Sequence, residues 1–204
     1  MGNWMKDEAS GPGRPRRKND PGGVRRRILD AAFELFQEQG YNATSVHEIA
    51  GRAGVTGGAL HHHFPAKKSL GLAVIKERVA AAVDETWLKP VRDAEDARAA
   101  IVGVFDRLAR ELDDQNRVRG CPVNNLTLEL AFADSDYRQV LRQLFDDWRD
   151  TIAKSLGGAD ADARATAVIC AYSGAMAIAK VEQRGEALRI CAKEIGRLLE
   201  GEWS

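Results

Sequence analysis

Residues 44–64 read TSVHEIAGRAGVTGGALHHHF, and the spacing within this stretch decides the fold. Ala50 is small enough to let a second helix cross closely, and Gly54 supplies the positive φ of a tight turn. Val55 plugs the angle between the two helices, and Leu60 anchors the second one from beneath. A turn of this kind delivers a short helix into the major groove of DNA. Thr44 precedes the periodic run Val46, Ile49, Ala50, Ala53 and is expected to cap it, with Glu48 one residue beyond strict capping-box spacing. The next short helix is expected through Leu60 to about His63, with Pro65 breaking it.

Upstream, Ile28, Ala31, Ala32, Leu35 and Phe36 make one helical face that closes at Gly40. Downstream, Leu72, Ile75, Val79, Ala82 and Val83 predict a helix ending near Lys89-Pro90. Ala97, Ile101, Val104, Phe105, Leu108 and Leu112 predict the next. A short segment follows Gly120-Cys121-Pro122 as far as Leu130, and Leu141, Leu144, Phe145, Trp148, Ile152 and Leu156 give another face. Residues 161–183 and 186–200 read as two last helices. No strand-like alternation and no internal repeat interrupts this all-α pattern. The expected organisation is an arm over 1–23, a three-helix helix-turn-helix domain over 24–70 and a larger helical domain over 71–204.

The chain has 204 residues, 44% hydrophobic, enough for a real core. Its 30 Lys+Arg and 30 Asp+Glu cancel. That balance hides an asymmetry, because residues 1–70 are net +4 and residues 71–204 net −4. A basic first third points to an anionic partner at one end. The longest apolar run, AVICAYSGAMAIA (167–179), is shorter than a membrane span needs. The N-terminus lacks an apolar signal core, so a cytoplasmic protein with no membrane partner is expected. Three cysteines without a CxxC pair suit reduced thiols better than disulfides or zinc. His61, His62 and His63 point about 100° apart on a helix and cannot close on one metal ion. No P-loop, GxGxxG, HExxH or GxSxG motif suggests an enzyme, and no cofactor is implied.

The positions Phe36, Gly40, Tyr41, Thr44, Val46, Ile49, Ala50, Ala53, Gly54, Val55, Gly58, Leu60, Phe64, Lys67 and Leu70 fall at the spacing of a known family. From Arg25 to Ile75 the chain resembles the tetracycline-repressor (TetR) family of bacterial transcription regulators. The resemblance implies a homodimer on a palindromic double-stranded DNA operator, paired through its last two helices and responsive to a small-molecule effector. It implies that the helical domain over 71–204 serves ligand binding and dimerisation. It places Thr44 on a phosphate, Thr56, Gly57, Gly58, Ala59, His61 and His62 at the groove, and Lys67 as a phosphate clamp. His61 stands where the family usually has a tyrosine, and Gly57 where a longer polar side chain is frequent. Base readout by long side chains is therefore thin, leaving thymine-methyl contact by Ala59, His62 and DNA shape.

Arg25 and Arg26 open the first helix against its dipole, a placement that phosphate pairing would offset. The arm contains PGRPRRK (12–18), which resembles an A·T-hook. In the larger domain Phe105, Leu108, Leu128, Phe145, Trp148, Tyr172 and Met176 are the large apolar candidates for an effector pocket, and Asn124 or Asn125 its candidate polar handle. Cys121, at a helix start beside Arg117 and Arg119, is a candidate pocket residue. Electrophile or oxidant modification of its thiolate is the alternative trigger. Cys170 and Cys191 are expected to be inert on apolar faces.

Overall fold

The computed structural model describes residues 21–114 and 117–201. The arm, with its PGRPRRK segment, lies outside the described residues except at 21–23, where the first helix has already begun. Among the described residues there are nine helices and no strand. They are α1 (Pro21–Gln39), α2 (Val46–Ala53), α3 (Gly57–His63), α4 (Lys67 to Arg92), α5 (Ala97–Asp113), α6 (Pro122–Leu130), α7 (Ser135–Leu156), α8 (Ala161–Glu182) and α9 (Glu186–Glu200).

The start of α2 corrects the sequence reading. Its cap is Ser45: Glu48 N donates to Ser45 Oγ at 3.1 Å, and Ser45 N donates to the Glu48 carboxylate at 2.7 Å. With the cap moved one residue on, Glu48 falls at the strict capping-box position. Gly54 ends α2 at φ +63° as its place in the turn requires. Val55 N then donates back to Ala50 O at 3.0 Å. Thr56 caps α3 by accepting from Ala59 N at 3.2 Å. Ile49, Ala50, Ala53, Leu60 and Phe64 are buried against Ile28, Leu29 and Ala32 of α1.

Helix α4 runs on past Lys89-Pro90 to Arg92, joining the head to the rest of the molecule. Its middle contains two wider π turns, Ile75–Val79 and Asp84–Leu88, with helical backbone throughout. Ile75, Val79, Val83, Trp87 and Val91 are all buried. In a regular α-helix a four-residue step drifts by about 40°, or about 160° over four steps. The wider turns take up that drift, so a stripe of period four stays on one face. Pro90 has no amide for the carbonyl of Thr86 four residues back. That carbonyl accepts from Arg107 Nη2 of α5 at 3.0 Å.

The second domain stacks α5, α7, α8 and α9 around an aromatic cluster. Trp87 is its centre, with ring centroids 5.3 Å from Phe105, 5.6 Å from Trp148 and 5.0 Å from Tyr172. Helix α8 revises the expectation drawn from the 13-residue run. Among the described residues it is the one helix long and apolar enough to cross a membrane by length and composition alone. Here it packs between α7 and α9 through Val168, Ile169, Tyr172, Ala175 and Met176.

Candidate nucleic-acid interface and effector cavity

The head presents its expected groove residues unevenly. Thr56, Gly57, Gly58, His61 and His62 are exposed, and Ala59 is half-buried. A Cβ on Gly57 or Gly58 would meet nothing within 4 Å. The fold itself therefore does not require glycine at either position, and their smallness matters only to something outside the chain. Thr44 departs from expectation. Its hydroxyl donates to Gly40 O at 2.7 Å, its amide to Tyr41 O at 3.2 Å, and the side chain is 1% exposed. Neither group is left for a phosphate; Ser45 holds the helix start instead.

Arg25 is also committed inside the protein. It forks onto Glu77 of α4, with Nη1 2.7 Å from Oε2 and Nη2 on Oε1, and its guanidinium lies 5.3 Å from the centre of the Phe64 ring. The hydrogen bond from Arg25 holds the Glu77 carboxyl below its usual value. Arg25 thus ties α1 to α4, while its neighbour Arg26 stays exposed. Lys67 begins α4 with Nζ 4.3 Å from the centre of the Tyr41 ring and 3.4 Å from Asn42 O. Partial burial lowers its pKa, against the opposing pull of Glu129 and Glu48.

Behind the head, α4, α5, α6, α7 and α8 line a half-open cavity of about 480 Å³. Of the candidates, Leu108, Cys121, Trp148, Tyr172 and Met176 line it. Four others do not. Phe105 is fully buried behind Trp87. Phe145 stacks on the outer side of the cluster, parallel to Trp148 within 9°. Asn124 spends its amide on Ser173 O of α8 at 3.1 Å. Leu128, 85% exposed, stands on the outer face of α6. Sequence reasoning missed Thr86, Trp87, Arg117 and Arg119, which line the cavity. The buried period-four stripe of α4 was the available signal for Trp87.

The surroundings of Cys121 remove the basis for a reactive thiolate. The residue is 3% exposed and burial pushes its thiol up, outweighing the amides of Asn124 and Val123. Arg119 is turned away to Glu38, 3.1 Å distant. Tyr172, wholly buried beside Cys121, likewise has its pKa raised. Cys170 is exposed rather than packed, and Cys191 is half-buried.

Helix α6 reaches from the cavity to the head. Gly120, Cys121, Pro122 and Val123 are in the cavity wall. Near its other end, the Glu129 carboxylate accepts from Tyr41 N at 3.0 Å and Asn42 N at 2.8 Å, in the turn between α1 and α2. Midway, Asn125 Nδ2 donates to Gln37 of α1 at 3.0 Å. Gly40 sits at φ +89°, in the left-handed region that favours glycine, and a Cβ there would press on the Glu129 carboxylate 2.7 Å away. Tyr137 of α7 adds a second tie, donating to Tyr41 Oη at 2.8 Å.

Known proteins share this arrangement. Residues 28–74 match the model of bacterial regulatory proteins of the tetR family, and residues 97–194 that of the LmrA/YxaF-like transcriptional regulator C-terminal domain. The chain is 30% identical over 199 residues to the transcriptional regulator AcuR of Cereibacter sphaeroides, covering 91% of this chain and 89% of that one. It is 24% identical over 182 residues to the HTH-type transcriptional repressor DhaR of a Mycobacterium species, covering 81% and 86%. A crystal structure of a regulatory protein TetR from Rhodobacter sphaeroides matches with a TM-score of 0.75 at 28% identity, covering 85% of this chain and 97% of that one. The helix-turn-helix head, the helical domain behind it and these relatives together place the chain in the TetR family of bacterial transcriptional regulators.

Proposed function

We propose that the protein is a repressor that binds a palindromic operator as a homodimer and leaves it when a small molecule enters the cavity behind the head. The observation that carries this reading is the span of α6, whose first turn walls the cavity and whose Glu129 holds the turn leading into α2. A ligand that moves α6 changes the position of the head, which is a differential contact between two states of the kind that release requires. A relative whose name is repressor, DhaR, supports the direction of control.

Pairing is assigned to α8 and α9. Cys170, Gly174 and Ile178 follow one another at four-residue spacing on an exposed face of α8, and Val181 and Ile190 extend the apolar surface. Small side chains there admit close helix approach, and a two-fold pair would set two α3 helices on successive half-sites. Ile178→Arg combined with Ile190→Arg is expected to give a monomer by sedimentation, with operator affinity lost.

DNA contact is assigned to Arg26, Thr56, Gly57, Gly58, Ala59, His61, His62 and Lys67. The test is fluorescence anisotropy on an operator selected from random DNA. Lys67→Ala should weaken binding to all sequences about equally and reduce the salt slope by about one. An altered sequence preference with an unchanged slope would remove Lys67 from the phosphate contacts. Leu108→Trp, which narrows the cavity, should bind the operator normally and resist release by compounds that raise the wild-type Tm. Normal release from that variant would place the effector elsewhere.

A further inference from the structure

The cavity has a charge character as well as a shape. Its body is apolar, with Trp87, Leu108, Leu112, Trp148 and Met176 around it. Its polar rim is of one sign: Arg117 and Arg119 line it, and among the described residues no carboxylate does. The N-terminal end of α6 opens on the same space, adding the positive end of a helix dipole to the two guanidinium groups. Trp148 Nε1, in the same wall, is buried without a hydrogen-bond partner in the protein. An aromatic wall alone would also suit a quaternary ammonium. Here the two arginines and the helix end oppose any cation.

The rim arginine is already engaged. Arg119 Nη2 lies 3.1 Å from Glu38 Oε1 of α1, and Glu38 Oε2 lies 3.0 Å from Arg52 Nη2 of α2. One carboxylate of the head thus bridges the helix-turn-helix unit and the cavity rim. Arg117 adds its field to the same carboxylate.

We infer that the effector is an amphiphilic carboxylate, its apolar body among the tryptophans and its anionic head on Arg119, which it draws from Glu38. This rests on the cavity being the effector site. It names both the class of ligand and a further tie, besides those of Glu129 and Tyr137, through which its arrival reaches the head.

Isothermal titration of the full-length protein with three probes of one body tests it: 2-naphthoate, methyl 2-naphthoate and 2-naphthylmethylammonium. The anion should bind about tenfold more tightly than the ester, since a charge-assisted pair with arginine is gained, and the cation should bind weakest. Arg119→Met should bring the anion down to the ester's affinity and leave the ester unchanged. Glu38→Gln should tighten the anion about threefold, because its competitor for Arg119 is gone, again without effect on the ester. A purely structural role for Glu38 would not produce that gain. Equal binding of anion and ester, or preference for the cation, would overturn the inference and leave the cavity as an effector site. Binding of no probe, with Leu108→Trp releasing from DNA like wild type, would overturn both.

Discussion

The head and the cavity domain are held together by different physics. In the head, the Ser45–Glu48 capping box, the left-handed Gly54 and the Thr56 cap all fall within twelve residues, each using a partner no more than four residues away. In the cavity domain the centre is Trp87, Phe105, Trp148 and Tyr172, which come from four helices and up to 85 positions apart. A unit built on short-range bonds keeps its shape while its surroundings move, as a DNA-reading head must. A unit built on ring contacts around a space depends on what fills that space.

This contrast is sharpest under substitution. Trp87→Ala should cost about 3–5 kcal/mol, because it removes a ring that touches all three of the others and enlarges an existing cavity; thermal unfolding measures the loss. A cost under about 1 kcal/mol would mean that the cluster does not hold the domain. Gly71→Ala tests the seam between the regions. A Cβ there would collide with Tyr137 Oη and lie 2.8 Å from the Tyr41 ring. It should cost about 1–3 kcal/mol by overpacking and separate the unfolding of head and domain in calorimetry.

Within the head the effects are smaller. Ser45→Ala should cost about 1 kcal/mol, whereas Thr44→Ser, which keeps the hydroxyl bonded to Gly40 O, should cost less. A Ser45→Ala cost near zero would take the cap away from Ser45. The smallest effect expected is electrostatic. Arg25 holds Glu77 below its usual value of 4.5, so the pair's contribution is present above that pH and fades as pH falls through the depressed value. Both side chains are more than a third exposed, which limits the contribution to roughly 0.5–1 kcal/mol. Glu77→Gln should therefore be less stable than wild type at pH 7 and converge with it in acid.

The same contrast explains what was legible in the residues. Ala50, Gly54, Val55 and Leu60 announce the turn because each answers a local steric demand, and the boundaries of α8 and α9 follow from glycine and charge nearby. The cap was misplaced by one residue because Thr44 and Ser45 are equally good cap chemistry. Glu48 distinguishes them, standing three residues after Ser45 and four after Thr44, and the bond from Thr44 to Gly40 O commits the other hydroxyl to the preceding turn. Cavity residues were harder. Leu108, Trp148, Tyr172 and Met176 were found as large apolar side chains on inward faces. Leu128 fits the same description and points outward. Arg117 and Arg119 looked like activators of Cys121. Both line the cavity, and Arg119 pairs with Glu38, 81 residues away, which no local pattern carries.

The two wide turns of α4 set a phase between the halves of the molecule. Its first turn belongs to the head and Ala82, Val83, Thr86 and Trp87 to the cavity wall, so the number of residues between them fixes the heading of α3 relative to the aromatic cluster. Each residue of a regular helix turns that heading by about 100°. The period-four stripe from Ile75 to Val91 tolerates no insertion or deletion without swinging Trp87 out of the core or the head away from Glu129 and Glu38. Length in this stretch is therefore under tighter constraint than residue identity. In a regulator of this build the count of residues between head and cavity stays fixed.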